Sequence, residues 1–388
     1  MKFDFNTVTR IVFGPGQISR LPELLAPLGS TALLVQNVGQ ELITRITTLL
    51  DDAHIEHALF AQVGEPKVAD VDQALEAARQ NDCDMVLGLG GGSAIDCAKA
   101  VAALMSNGGS AIDYMEVIGK GNKIAKPAAP WIAIPTTAGT GAEATRNAVI
   151  GHPEKRFKAS IRSEHLLARI ALVDPELAVG APPEVTASSG MDALCQLIES
   201  YTSSGAEPIT DALAIKGIAL AARSLRRAFQ SPSDIGARSD MALAALFSGI
   251  ALANAGLGAV HGFAAPMGAN FPIPHGVVCA DLLPHVIRAN IQALSAVVSD
   301  HPALARYAEI GRILMAQPNV PDPVALDGAI EYTTDLLRDL RMPPLSRFKF
   351  SERDIPDMVA LARKASSMRY NPIVLSEDVL EDILRRAL

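Results

Sequence analysis

Short apolar runs alternate with amphipathic stretches along the first half of the chain. Apolar runs predict buried strands at Thr31–Val35, Met85–Leu89, Trp131–Pro135 and Ile170–Val173, with a weaker strand at His57–Ala61. Helical periodicity predicts helices at Gln40–Asp52, Val68–Asn81 and Ser93–Met105. Strands that alternate with helices in this way indicate βαβ crossovers and a mostly parallel sheet.

The pattern changes near Pro182, beyond which the strand signals fade. Ala- and Leu-rich helical periodicity then continues to Leu388. The stretch Gly180–Pro183 interrupts the chain at this change with the letters GAPP. We therefore expect an α/β domain over residues 1–180 and an all-helical domain over residues 181–388.

Composition narrows the classes of function. The chain has 388 residues, of which 49% are hydrophobic and 20% charged, and its formal net charge is −8. That charge opposes binding to nucleic acid or to an anionic membrane surface. The apolar stretch ALAALFSGIALANAGLGAV is broken by Gly, Ser and Asn, so we expect it to form a buried helix of a soluble protein rather than a membrane span.

The N-terminal stretch MKFDFNTVTRIVFG alternates like a strand and lacks the long apolar core of a signal peptide. The cysteines are few, and their spacing contains no CxxC pair; they are Cys83, Cys97, Cys195 and Cys279. A reducing, cytoplasmic location is the simplest expectation.

A glycine-rich turn follows the predicted strand Met85–Leu89. Gly90, Gly91, Gly92 and Ser93 lead into the helix that contains Asp96. Glycines let the backbone approach a phosphate closely, and the amides at a helix start face an anion. Ser93 stands where the GxGxxG fingerprint has its third glycine, so a strand exit that binds nothing is the alternative.

A second small-residue loop follows the strand Trp131–Pro135. It carries the hydroxyls of Thr136, Thr137 and Thr140, which suit a loop along a ribose and a nicotinamide. The alternative is an ordinary polar turn. Two such loops after successive strands favour a dinucleotide over a lone phosphate.

His261 and His275 bracket the stretch HGFAAPMGANFPIPHG, and Asp192 lies upstream in GMDAL. Imidazole and carboxylate groups are common ligands of divalent cations in catalytic sites. Gln196 follows Asp192 by four residues, so on a helix both point to the same side, where Gln196 would add a neutral oxygen or only a hydrogen bond. Cys279, four residues after His275, could approach a metal, but a buried apolar role is the expectation.

Taken together, these segments resemble the iron-containing (group III) alcohol dehydrogenase family, which has a dehydroquinate-synthase-like fold. The resemblance covers almost the whole chain. Its motifs are FGPGQI, GGGSAIDCAKA, IPTTAGTGAEAT, ALVDPEL, GMDAL and the HG…PHG stretch. The resemblance implies a nucleotide-binding α/β domain and an all-helical domain. It also implies dehydrogenase or aldehyde reductase activity on a small alcohol or aldehyde, with NAD or NADP as cofactor.

The resemblance also implies roles for individual residues. The cofactor pyrophosphate would contact Gly90, Gly91, Gly92, Ser93 and Asp96, whereas Thr136, Thr137 and Thr140 would follow the ribose and the nicotinamide. Lys158 matches a lysine that commonly reaches the cofactor. Asp192, Gln196, His261 and His275 would hold one divalent metal, Fe²⁺ or Zn²⁺, and a homodimer is implied.

The chain departs from the family pattern at three positions. Gln196 replaces the usual histidine, and Ala265 stands where a histidine usually relays protons. Asn37 stands where NAD-specific members often carry aspartate, and the loss of that charge should make NADP more acceptable. Two alternatives stay open: a metal-independent reductase of an oxo acid, similar to maleylacetate reductases, and a lyase resembling dehydroquinate synthase.

Overall fold

The computed structural model describes residues 2–297 and 301–388. The chain divides into two compact units, which we call the sheet unit and the helical unit. The sheet unit comprises Asn6–Thr137 and Gly141–Ala181. The helical unit comprises Pro182–Leu388 together with Ala138–Thr140 and a short N-terminal stretch that ends at Phe5.

The sheet unit contains eight strands and five helices within its described residues. The strands are β1 (Arg10–Phe13), β2 (Thr31–Gln36), β3 (Glu56–Ala61), β4 (Met85–Gly90), β5 (Trp131–Pro135), β6 (Asn147–His152), β7 (Phe157–Arg162) and β8 (Ile170–Val173). The helices are α1 (Leu21–Leu25), α2 (Gln40–Asp52), α3 (Val68–Gln80), α4 (Gly92–Asn107) and α5 (Ala111–Tyr114). Six strands form a parallel sheet in the order β1-β8-β5-β4-β2-β3.

The centre of the sheet is buried on both faces. Every residue of β4 (MVLGLG) is buried, as is typical of a parallel strand covered by helices on each side. Leu34, Leu87 and Ile132, which come from three adjacent strands, belong to one apolar cluster with α1 and α2. The continuous apolar runs in the sequence reflect this two-sided burial, and the predicted parallel sheet is confirmed.

Two local features of the sheet unit differ from the sequence analysis. Helix α4 begins at Gly92, one residue earlier than predicted, because the extended Gly91 caps it and its carbonyl accepts the amides of Ala94 and Ile95. The antiparallel hairpin β6–β7 was not predicted at all. Its strands are short and bury alternate positions only, so they lack the continuous apolar runs that revealed the central strands.

The helical unit consists of long helices. They are α6 (Pro183–Thr202), α7 (Pro208–Gln230), α8 (Ile235–Ala255), α9 (Ala259–Asn270), α10 (His275–Val297), α11 (Pro302–Met315), α12 (Asp322–Asp339), α13 (Ile355–Ala362) and α14 (Glu377–Arg386). Five of them, α6, α7, α11, α12 and α13, have proline in the first turn. Others have a capping side chain; Asp234, for example, accepts the Ala237 amide at 2.9 Å before α8. The predicted all-helical half is therefore confirmed.

One helix of the described chain, α8, is long and apolar enough to cross a membrane by length and composition. A core helix of a globular protein passes the same test, and most of this helix is buried. Helix α6 packs closely against α7, since a Cβ on Gly190 would lie 2.2 Å from Leu225 Cδ1. That glycine is the first letter of GMDAL and lets α6 approach α7 at this point.

Candidate metal centre and cofactor turn

Three helices of the helical unit bring Asp192, His261 and His275 together. His261 Nε2 lies 3.2 Å from Asp192 Oδ1, and His275 Nε2 lies 3.7 Å from the same oxygen. The Asp192 and His261 side chains are buried, whereas His275 is 37% exposed. The structure thus brings together two histidines that lie 69 and 83 positions downstream of the aspartate, and metal binding by these three residues stays a prediction.

The glycine after His275 explains how α10 reaches α6. A Cβ on Gly276 would lie 2.2 Å from the carbonyl oxygen of Ser188, so only glycine fits between the two backbones. Ser188 is one helical turn before Asp192 on α6. The pair His275–Gly276 therefore has a structural reason, because the glycine lets the imidazole come within reach of the Asp192 carboxylate.

Cys279 is a fourth member of the cluster. Its Sγ lies 3.6 Å from both His261 Nε2 and His275 Nε2, and its side chain is fully buried. One donor atom from each of Asp192, His261, His275 and Cys279 can be chosen so that all four lie within 4.8 Å of one another. The sequence raised Cys279 only as a secondary possibility, and the structure places its thiol between the two imidazoles.

Gln196 lies beside the cluster and makes hydrogen bonds there. Its Nε2 lies 3.4 Å from Asp192 Oδ2 and donates to it, and its Oε1 accepts from Ser248 Oγ at 2.9 Å. The amide therefore links the carboxylate to helix α8. Of the two roles considered for Gln196, the hydrogen bond is present in the structure, and a role as metal ligand stays a prediction.

Glu199 is a site residue that the sequence analysis missed. It accepts from His261 Nδ1 at 2.6 Å and from the Val260 amide at 2.7 Å, and it is buried. A carboxylate on the far nitrogen of an imidazole fixes the ring and its tautomer, an arrangement common behind metal-binding histidines. The signal was present in the sequence, because Glu199 follows Asp192 by seven residues, two helical turns on the same side.

The electrostatics of the cluster favour a cation. Burial alone would raise the pKa of Asp192, but the neighbouring His275 and His261 lower it below its ordinary value. Burial opposes a charge on His275, yet Cys279 and Asp192 raise its pKa to about 9. His261, with Asp192 on one nitrogen and Glu199 on the other, also has a raised pKa despite its burial. Both imidazoles therefore favour their protonated, positively charged form beside the carboxylate.

The donor set fits a divalent cation. Among the described residues, the ion-pair partners of the buried carboxylates Asp192 and Glu199 are His261 and His275, with no lysine or arginine. Two buried anions without a fixed counterion are costly in a protein interior. A divalent cation on the Nε2 side of His261 would compensate them, and its ligands would be one carboxylate and two imidazoles.

The glycine turn of the sheet unit is held by Asn37. The Asn37 Oδ1 atom accepts the Gly91 amide at 3.0 Å, and Gly90 has φ +145°. A Cβ on Gly90 would lie 1.8 Å from the same oxygen, so the turn requires glycine there. The amides of Gly92 and Ser93 precede the first hydrogen bond of α4, and such helix-start amides bind phosphate oxygens.

Asp96 is engaged within the sheet unit. Its Oδ2 accepts the Val149 amide at 3.0 Å, and its Oδ1 lies 3.3 Å from Nζ of the fully buried Lys99. Lys99 also donates to Thr145 Oγ1 and to the Asn147 carbonyl, both at 2.7 Å. Asp96 therefore joins α4 to the β6–β7 hairpin, and its contact with a pyrophosphate stays a prediction.

The remaining predicted cofactor residues are distributed over both units. Thr136 donates its amide to the Gly90 carbonyl at 2.9 Å, and the Thr137 side chain faces Gly91, so these two threonines border the turn. Thr140 belongs to the helical unit. Lys158 on β7 forms an ion pair with Glu65. Cofactor contacts of all four residues stay predictions.

Comparison with known proteins agrees with this architecture. Residues 8–175 match the family model described as iron-containing alcohol dehydrogenase. Residues 186–388 match the model of the C-terminal region of the Fe-containing alcohol dehydrogenase family. The two matches divide the chain close to the end of the sheet unit.

Named relatives extend over nearly the whole chain. Alcohol dehydrogenase 4 of Schizosaccharomyces pombe is 35% identical over 97% of this chain and 87% of its own length. The 1,3-propanediol dehydrogenase of Klebsiella pneumoniae is 35% identical over 99% of this chain and 98% of its own length. The crystal structure of a 1,3-propanediol oxidoreductase superposes with a TM-score of 0.92 at 34% identity, and each chain is covered completely.

These relatives are dehydrogenases, and none of the three favours the oxo-acid reductase or the lyase alternative. They support NAD-dependent oxidoreductase activity, and the family implies a divalent metal and NAD(H). The resemblance noted in the sequence is confirmed by both family models and by the fold. The chain belongs to the iron-containing alcohol dehydrogenase family.

Proposed function

We propose that this alcohol dehydrogenase interconverts a small primary alcohol and its aldehyde, with a divalent cation held by Asp192, His261 and His275. The observation that carries the proposal is the convergence of one buried carboxylate and two imidazoles from three helices, with one imidazole partly open to solvent. A catalytic metal site needs such an open side for its substrate. The cation would supply Lewis-acid polarisation of the substrate oxygen.

The residues of the chain prepare this site for the cation. Glu199 holds the His261 ring so that Nε2 points toward Asp192, and Gln196 donates to the second oxygen of Asp192. Both side chains therefore orient ligands and do not themselves need to touch the substrate. Ala265 offers no acid or base, so we propose that proton exchange with the substrate runs through solvent at the open side of His275.

The proposed cofactor is NAD, with NADP also accepted. The glycine turn and the start of α4 suit a pyrophosphate, and Asn37 is neutral where an aspartate would repel a 2′-phosphate. Hydride would pass between C4 of the nicotinamide and the alcohol carbon. The activities in the names of the relatives, on alcohols and on 1,3-propanediol, indicate the class of substrate to test.

We further propose a cytoplasmic homodimer, as the family resemblance suggests. All four cysteines are free in the structure, which suits a reducing compartment. The oligomeric state is measured directly by light scattering during size-exclusion chromatography, and a monomeric mass at micromolar concentration would contradict the dimer.

Turnover of a panel of alcohols before and after metal removal tests the proposed function. The purified chain is assayed with 1,3-propanediol, ethanol and longer primary alcohols, each with NAD and with NADP. We expect activity that a chelator abolishes and that added Zn²⁺ or Fe²⁺ restores. Full activity in a preparation shown to be metal-free would contradict the proposal and return the metal-independent reductase to consideration.

A further inference from the structure

Cys279 stands where it can bind the same cation as the two histidines. It follows His275 by four residues on α10, so the two side chains lie one above the other on one side of the helix. Its Sγ is equidistant, at 3.6 Å, from the Nε2 atoms of His261 and His275. These are the nitrogens that face Asp192, and donor atoms of all four residues lie within 4.8 Å of one another.

We propose that Cys279 is the fourth protein ligand of the cation, in the role that the missing histidine at position 196 would otherwise have. The inference rests on the proposed metal-assisted function and adds a ligand to it. The set then consists of one carboxylate, two imidazoles and one thiolate, which favours zinc over ferrous iron. Thiolate ligands suit zinc, and zinc also stands above ferrous iron in the general order of affinities.

Gln196 is the rival for the fourth position, and its contacts count against it. Its amide oxygen accepts from Ser248, and its NH₂ group points toward Asp192. An NH₂ group donates hydrogen bonds and has no lone pair for a cation. The Gln196 amide therefore orients the Asp192 carboxylate. The Cys279 thiol is the remaining donor that lies beside the Nε2 atoms of both histidines.

A second group of donors, Cys195, Glu199 and His261, is the other rival. It uses the opposite ring nitrogen, Nδ1, which lies 2.6 Å from Glu199 and 3.9 Å from Cys195 Sγ. All three side chains are buried, so this group has no open side for a substrate. The group with Cys279 includes the partly exposed His275 and has one more donor.

A cation would convert the buried Cys279 thiol to a thiolate. Binding exchanges the thiol proton for a zinc–sulfur bond, and the proton leaves to solvent. The thiolate would then contact the cation directly, beside the carboxylate of Asp192, while Glu199 stays behind His261. Four protein ligands still leave room for substrate, because catalytic zinc expands to five-coordinate geometry.

The test is the coordination sphere of the full-length chain, measured without turnover. X-ray absorption of the zinc-loaded wild type should show a sulfur neighbour at about 2.3 Å. The cobalt-substituted wild type should show a strong sulfur-to-cobalt absorption in the near ultraviolet. Both signals should disappear in Cys279→Ser and persist in Cys195→Ser, the matched control, because Cys195 faces the other ring nitrogen.

Competition with a chelator measures the affinity of each variant for zinc. Loss of a direct ligand should weaken zinc binding by about a hundredfold or more, the upper end of what supporting residues cost. Gln196→Ala should keep the sulfur signal. The wild-type absorption spectrum decides the question even if Cys279→Ser does not fold.

The possible failures are distinguishable. Zinc bound with only nitrogen and oxygen neighbours would overturn the assignment of Cys279 and leave metal-assisted catalysis standing. A sulfur signal lost in Cys195→Ser and kept in Cys279→Ser would overturn it in favour of the Nδ1 group. A wild-type chain that binds neither zinc nor cobalt would overturn both this inference and the proposed function.

Discussion

The glycine turn of the sheet unit and the donor cluster of the helical unit (Asp192, His261, His275 and Cys279) present opposite kinds of chemical group. The turn offers backbone amides and contains no charged side chain between Gly90 and Ser93. The cluster offers side chains, most of them buried, and the carboxylates of Asp192 and Glu199 are both buried there. We therefore expect cofactor binding at the turn to be weakened by substitutions that add atoms. We expect metal binding at the cluster to be weakened by substitutions that remove side-chain groups.

Removal of the Asp192 carboxylate should have the largest effect. Asp192→Ala deletes the carboxylate that lies close to both imidazoles, and the loss of Lewis-acid stabilisation of about 4 kcal/mol would lower kcat/KM roughly a thousandfold. The exposed Glu184→Ala at the start of the same helix is the control and should keep wild-type rates. Near-normal turnover of metal-free Asp192→Ala would count against metal assistance.

Addition of one carbon to the turn should have the next largest effect. Gly90→Ala forces a Cβ to within 1.8 Å of Asn37 Oδ1 at φ +145°. Such strain costs about 1–3 kcal/mol, so KM for NAD should rise roughly tenfold to a hundredfold with metal content unchanged. Gly180→Ala, on an exposed loop with nothing within 4 Å, should behave as wild type. Unchanged KM for NAD in Gly90→Ala would show that the turn does not bind the cofactor.

A substitution of Glu199 tests whether metal affinity depends on side chains that hydrogen-bond to the proposed ligands. Glu199→Gln keeps the size of the side chain but removes the charge that holds His261 Nδ1. We expect metal affinity to fall about 10- to 100-fold, measured by chelator competition, while the thermal midpoint of the metal-free protein changes little. An unchanged dissociation constant would show that the ring is fixed by packing alone.

Asn37 should give the smallest effect and the clearest change in specificity. Wild type should prefer NAD over NADP by less than about a hundredfold, or ~2.7 kcal/mol. Asn37→Asp keeps an oxygen to accept the Gly91 amide but adds a charge, so the preference for NAD should increase about tenfold. Steady-state kcat/KM with both cofactors measures it. A wild-type preference well above a hundredfold would refute the role of Asn37.

Much of the sheet unit could be read from the sequence because its signals are contiguous. The strand β4, the glycines after it and helix α4 lie within residues 85–107, so one local pattern describes them together. Parallel strands buried on both faces also give continuous apolar runs, which is why the central strands were found and the half-exposed hairpin β6–β7 was not.

Less of the candidate site in the helical unit could be predicted, because its donor residues are far apart in the sequence. Asp192, His261 and His275 stood out by residue type, but no spacing shows that the thiol of Cys279 lies between two imidazoles. Glu199 was overlooked although it lies two turns after Asp192. Its role depends on α9, which supplies the His261 ring 62 positions later in the chain. Such roles follow from tertiary packing and not from a local pattern.

The central claim is that the cluster holds one metal ion per chain. Inductively coupled plasma mass spectrometry on protein purified anaerobically and without an affinity tag measures this directly. We expect close to one zinc or iron per chain in wild type, and loss of that metal in both Asp192→Ala and His275→Ala. A folded wild-type chain without metal that still oxidises NAD(P)H with a carbonyl substrate would contradict the claim.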